Sequence, residues 1–167
     1  MGESRLIIDE KKIKYSGLIS TKGLYRCAKE FLEENDYDPY ESRNEEEVYE
    51  DGKQIILVID GEKKLSDFAK INWQSKFIFE KLQESLVDKD GKKHKMHKGS
   101  VLVETNVFLT TDYDKSFEQN AFQYFLRTMI DKFVFKSYLN RSIDTARKHY
   151  ARYEEKLKAY LNMEAFK

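Results

Sequence analysis

Three histidines, one cysteine and a run of lysines are the residues of this chain whose types could support chemistry. His94 and His97 lie in KKHKMHKG, where their spacing puts them on opposite faces of a regular strand and the flanking ammonium groups oppose a dication. No metal site is expected there. His149 follows Lys148 in a helical pattern and reads as solvent-facing. Cys27 falls on the apolar stripe Leu24, Cys27, Ala28, Phe31 and Leu32, which predicts a buried structural thiol rather than a nucleophile, and a lone cysteine forbids an internal disulfide. The sequence holds no GxSxG, HExxH, P-loop or GxGxxG pattern, so no catalytic residue is assigned and no cofactor is expected.

Charge carries information locally and none globally. Thirty Lys and Arg balance thirty Asp and Glu, which gives no reason to expect a nucleic acid or an anionic membrane as partner. From Glu33 to Asp51, however, ten acids face one base, Arg43, and from Lys89 to Lys98 five lysines face one acid, Asp90. Each run reads either as a solvated sheet edge or as a patch that meets a charged partner or a neighbouring subunit, with Lys92, Lys93, Lys95 and Lys98 as the candidate contacts. No apolar run approaches the ~18 residues of a membrane span, and MGESRLIIDE lacks the apolar stretch of a signal peptide. A cytoplasmic protein of one domain, residues 1–167, is expected.

The elements that must position these residues follow from periodicity. Arg5 to Ile19 reads as a long strand or tight hairpin with a bulge at Gly17; Ser20 or Thr21 then caps a helix ending near Asn35. Three Asp-Gly pairs, at residues 51–52, 60–61 and 90–91, predict hairpin turns between strands at Asn44–Glu50, Lys53–Ile59, Glu62 to about Leu86 with an interruption near Ser66-Asp67, and about His97 to Thr111. Alternation puts Ala69, Ile71, Trp73, Ser75, Phe77 and Phe79 on one face, and Val101, Val103, Thr105, Val107 and Leu109 on one side of the last strand. Such a sheet needs a cover. The capping box Ser116/Gln119 opens a helix with an apolar face running from Phe117 to Val134, which is expected to supply it. After a break near Lys136 to Ser142, a further helix over 142–163 carries Ile143, Ala146, Tyr150, Tyr153, Leu157 and Tyr160 on one stripe. That stripe packs on the parent domain or mediates self-association, with Tyr150, Tyr153, Leu157 and Tyr160 as candidate contacts.

The fold class expected is therefore α+β, an antiparallel sheet packed on a long C-terminal amphipathic helix with an additional C-terminal helix. This order of elements over residues 5–135 resembles the helix-grip fold of the START-like ligand-binding superfamily, in topology and without a signature motif. The resemblance implies a pocket between sheet and helix for an apolar or aromatic small molecule, lined by Trp73, Phe77, Phe79, Phe125 and Met129. A different class, an interaction or adaptor module using the last helix and the charged hairpins, is the alternative.

Overall fold

A computed structural model of the chain describes residues 3–111, 125, 129 and 136–165, with side chains in the last helix through residue 162. Strand β1 (Glu3–Ile19) leads into helix α1 (Thr21–Glu34), four strands follow as β2 (Asp38–Tyr49), β3 (Gly52–Lys64), β4 (Ala69–Lys89) and β5 (Lys92–Thr111), and helix α2 (Lys136–Ala165) closes the described chain. All strand pairs are antiparallel, in the order β1-β5-β4-β3-β2, so the expected α+β class holds. Among the described residues no helix is long and apolar enough to cross a membrane.

Period-two alternation sets the sheet's faces. Ala69, Ile71, Trp73, Ser75, Phe77 and Phe79 are all buried, and opposite them in register lie the buried Val101, Val103, Thr105, Val107 and Leu109. The β4–β5 turn forms at Asp90-Gly91 with φ of 52° and 74°, as a two-residue loop with positive φ at both positions requires. Midway along β4 a bulge between Glu80 and Gln83, with Lys81 at φ 53°, breaks the register. Glycines flank it: a Cβ on Gly99 of β5 would sit 2.7 Å from the Glu80 carbonyl oxygen, and one on Gly52 of β3 would sit 2.8 Å from that of Leu82. Gly17 of β1 pairs with Gly99. Glycines of three strands, β1, β5 and β3, thus line up across the sheet beside the β4 bulge.

Both helices lie on the buried face. The Ser20 Oγ accepts the Gly23 N–H at 3.1 Å and so caps α1, whose Leu24, Ala28, Phe31 and Leu32 point inward. On α2 the buried set is Ile143, Ala146, Tyr150, Tyr153, Leu157 and Leu161. Gly23 is the point of closest approach between helices, since a Cβ there would lie 1.8 Å from the Tyr160 hydroxyl. Lys156 ties the pair from outside, 3.3 Å from Glu34 and over the Phe31 ring.

Three expectations are corrected by this arrangement, and a fourth lies outside the described residues. The last helix begins at Lys136 without a break at 136–142 and covers the sheet itself, so it is part of the core rather than an extension of it. The helix expected from Ser116 falls outside the described residues, except that Phe125 and Met129 are helical and 59% and 45% exposed. Asp60-Gly61 is not a turn; it runs through β3, and the true β3–β4 connection is at Leu65–Phe68, where Ser66 Oγ accepts the N–H groups of Phe68 and Ala69. A Cβ on Gly61 would meet Tyr37 and Leu32 at 3.4 and 3.5 Å, ordinary contact distances, so the strand and not a tight approach accounts for its place here. The irregularities of β1 fall between Leu6 and Lys11, with Glu10 at φ 37°, and the pairing of Gly17 is regular.

Gly99→Ala should lower stability by about 1–3 kcal/mol, because the added methyl meets backbone that cannot rotate away. A urea midpoint equal to wild type would show that the glycine row is not a steric requirement.

Candidate functional site

The rings expected to line a pocket instead fill the interior. Trp73, Phe77 and Phe79 are 0% exposed, and around Trp73 stand Tyr153, Tyr37, Tyr150 and Phe31 with ring centroids at 5.1, 5.3, 6.2 and 6.4 Å. Aromatic edges and faces meet here at contact separation, so the space between the sheet and α2 is packed. Phe125 and Met129, expected in the same pocket, are exposed.

A chain of buried polar atoms runs through this cluster. Ser75 Oγ accepts from Trp73 Nε1 at 3.0 Å and from the Tyr153 hydroxyl at 2.8 Å, and lies 3.1 Å from Thr105 Oγ1. With both lone pairs occupied, the Ser75 proton is directed to Thr105. Burial pushes the Tyr153 hydroxyl well above its ordinary value, so it stays protonated and donates. Ser75 is closed from solvent and its oxygen is saturated by tyrosine, tryptophan and threonine, an arrangement that holds strands together and does not activate a nucleophile. The Tyr150 hydroxyl is buried without a hydrogen-bond partner among the described residues, and burial followed by the Glu154 charge pushes it up to about 12.

The open space lies on the other side of α1. Between α1 and strands β2 and β3 is a groove of about 490 Å³, with Ile55 and Leu57 as its floor, Lys22, Tyr25, Arg26 and Lys29 on the helix wall and Glu41, Asn44 and Glu46 on the strand wall. The 3.6-residue period that turns Leu24, Ala28 and Phe31 inward brings Lys22, Arg26 and Lys29 to this flank. On β2 the pairing of Glu41, Asn44 and Glu46 with Ile59, Leu57 and Ile55 puts them over the same face as the apolar floor. Burial, and then the Glu41 carboxylate to which it hydrogen bonds, push the Tyr25 hydroxyl up to about 12. Asn44 Nδ2 donates to that carboxylate at 3.2 Å, which fixes Glu41 between two donors. Lys29 has Glu33 at 3.9 Å, but among the described residues no carboxylate lies within 4 Å of Lys22 or Arg26. A second depression, about 280 Å³, continues past the start of α1 to Lys53, Glu84, Lys95 and His97, where Lys53 pairs with Glu46 at 3.0 Å and Lys95 with Glu84 at 2.7 Å.

The remaining site expectations divide. Tyr150, Tyr153 and Leu157 are buried against the chain's own sheet and Tyr160 rests half-buried over Gly23, so the stripe has no free face for a partner. Lys92, Lys93, Lys95 and Lys98 are exposed on β5 beyond the glycine row. Cys27 is half-buried, and burial holds its thiol above the ordinary value although Lys156 works the other way. His149 is half-buried rather than solvent-facing: its Nδ1 lies 3.1 Å from the Tyr37 hydroxyl, whose ring stands edge-on to Trp73. Among the described residues no group of three or more His, Cys, Asp or Glu could hold a metal ion. The groove was missed because its cations and carboxylates come from a helix flank and an edge strand, each of which reads as ordinary solvated surface. No protein-family model matches the chain, and no match to a curated protein was found.

Two outcomes test this geometry. Ser75→Ala should destabilise the protein by about 1–3 kcal/mol for each donor it leaves unpaired, while Tyr153→Phe, which removes one donor, should cost less; equal urea midpoints for both variants and wild type would remove the polar chain from the account. His149 is held below its ordinary value by burial and then by Lys63 and Arg152, against the opposing Asp36 charge. The unfolded chain therefore takes up this proton first, near pH 6.5, so stability is full above that value and falls as pH drops toward the folded pKa. In urea titrations between about pH 8 and about pH 5, His149→Gln should flatten that fall.

Proposed function

We propose that the protein is a non-catalytic binding module for a small amphipathic molecule with an anionic group, held in the groove between α1 and strands β2 and β3. The observation that carries this reading is one opening of about 490 Å³ that combines an apolar floor with two cations, Lys22 and Arg26, that have no carboxylate within 4 Å among the described residues. Its volume lies in the range of small-molecule sites, roughly 300–1,000 Å³, which are mostly apolar with a few placed polar groups. The ligand's apolar part would lie on Ile55, Leu57 and the Tyr25 ring, and its carboxylate or phosphate would meet the helix cations. Glu41 and Glu46 across the groove would accept hydrogen bonds from hydroxyl or amino groups on the same molecule. The topological resemblance to the helix-grip superfamily supports ligand binding on a sheet covered by a helix, here displaced from the last helix to the first.

Differential scanning fluorimetry with three matched probes, an aryl carboxylate, an aryl phosphate and the neutral aryl alcohol, tests it. The anionic probes should raise Tm, with stabilisation approaching ~2.7 kcal/mol at a hundred times Kd, and the alcohol should do less. Lys22→Glu together with Arg26→Glu should abolish the response to the anions without changing the unliganded Tm, since both side chains are exposed. Shifts that are the same for all three probes, or that persist in the double variant, would sink the proposal.

A further inference from the structure

Among the strand edges left unpaired in the sheet, two carry opposite charge. β1 ends at Ile19, opposite His97, and β3 begins at Gly52, with Lys53 opposite Leu82. Beyond those points β4 and β5 continue together as a two-stranded arm to the Lys89/Lys92 turn, with no strand on either side among the described residues. The β5 side of this arm bears Lys92, Lys93 and Lys95, and Lys98, still opposite Leu18 of β1, stands at its base, with no acid between Lys92 and Lys98. Of these only Lys95 has a carboxylate partner among the described residues, Glu84 on its own arm.

The other edge is β2, paired only with β3 and in unbroken register from Arg43 to Tyr49. It is exposed along its length and bears Glu41, Glu45, Glu46 and Glu47 against the single base Arg43. Unpaired edges are templates for strand addition, and charge is the usual means of preventing it. Here that protection works only between like edges: β2 repels β2 and arm repels arm, while arm and β2 attract. Each surface also exposes an aliphatic side chain, Leu86 on the arm at 70% and Val48 on β2 at 73%, the most exposed large apolar residues among those described.

We infer that a second copy of this chain is the occupant, the β5 edge of the lysine arm of one molecule adding as a strand to the acidic β2 edge of the next. Since each copy holds one of each surface, the contact is head-to-tail. The contact is a few residues long, so association is weak and governed by ionic strength. It does not use the α2 stripe, which is buried; it shares Glu41 and Glu46 of β2 with the wall of the proposed ligand groove, whereas Glu45 and Glu47 do not line that groove.

Sedimentation velocity over a concentration series, at about 0.01 M and about 1 M salt where the screening length is ~30 and ~3 Å, reads this directly. The wild-type sedimentation coefficient should rise with concentration at low salt and stay at the monomer value at high salt. The arm variant, Lys92→Glu, Lys93→Glu, Lys95→Glu and Lys98→Glu, and the edge variant, Glu45→Lys and Glu47→Lys, should each remain monomeric. Mixed at low salt they should sediment as a heterodimer, which also guards against a variant that is monomeric only because it is misfolded. A wild type that stays monomeric at every concentration overturns the inference, and so does a mixture that sediments as its separate components. A monomeric wild type that nonetheless binds oligolysine at low salt would replace the second copy by a foreign basic segment.

Discussion

Ser75 Oγ ties together three elements that are far apart in sequence, accepting Tyr153 from α2 while linking Trp73 on its own strand to Thr105 on β5. Everything near it depends on this oxygen having no unmet demand. A hydroxyl buried under four aromatic rings is tolerable only if its partners are all present, and the partners in turn fix the rotamers of Trp73 and Tyr153. Those two side chains set where α2 can lie. Phe31, with its ring 5.3 Å from that of Tyr153, and Tyr37, at 5.3 Å from Trp73, extend the constraint to α1 and to the segment entering β2. One satisfied polar contact thus specifies a geometry that apolar burial alone would leave loose.

Closing the interior in this way moves the candidate chemistry outward. With the α2 side of the sheet occupied by rings, the space that remains between helix and strand is the flank of α1, and what lines a flank is long and charged. Tyr25 marks the boundary: its ring continues the apolar floor while its hydroxyl reaches Glu41. The groove is therefore amphipathic because it sits where the core ends. Lys63 shows the same transition on the neighbouring side, with its ammonium over the Tyr37 ring at 5.5 Å and bonded to the Asn35 carbonyl.

Strong periodicities were legible in the sequence and long-range choices were not. The buried faces of β4 and β5, the Ser20 cap and the Asp90-Gly91 turn each depend on a few neighbouring residues, and each stands where local rules put it. Asp60-Gly61 has the composition of a turn, but it is paired on both sides, with Tyr40 and Pro39 of β2 and with Gln74 and Trp73 of β4, which no local rule can see. Pro39 reads as a breaker, yet it is tolerated inside β2 because that strand is at the edge and can spare a donor. The role of the last helix was likewise undecidable from pattern: its tyrosine stripe read as packing on the parent domain or as a self-association face, and Tyr150 and Tyr153 in fact meet Trp73. The groove was illegible for a related reason, since charged residues that converge across a fold look the same in sequence as charged residues that do not.

The glycine row of β1, β5 and β3, with the β4 bulge beside it, divides the sheet into a packed body and a projecting arm, and this has a consequence for how the chain can change over generations. On the body side an inserted residue would reverse the inward and outward faces of a strand that carries Trp73 or Val103. On the arm side the side chains between Met96 and the Lys89/Lys92 turn are exposed or half-buried, so residues can be added or lost at that tip in matched pairs, one in each strand, and the register below the crease is untouched. Arm length is thus a heritable variable decoupled from the core. Chains descended from the same ancestor should differ in the reach of this hairpin far more than in the spacing from Ala69 to Phe79.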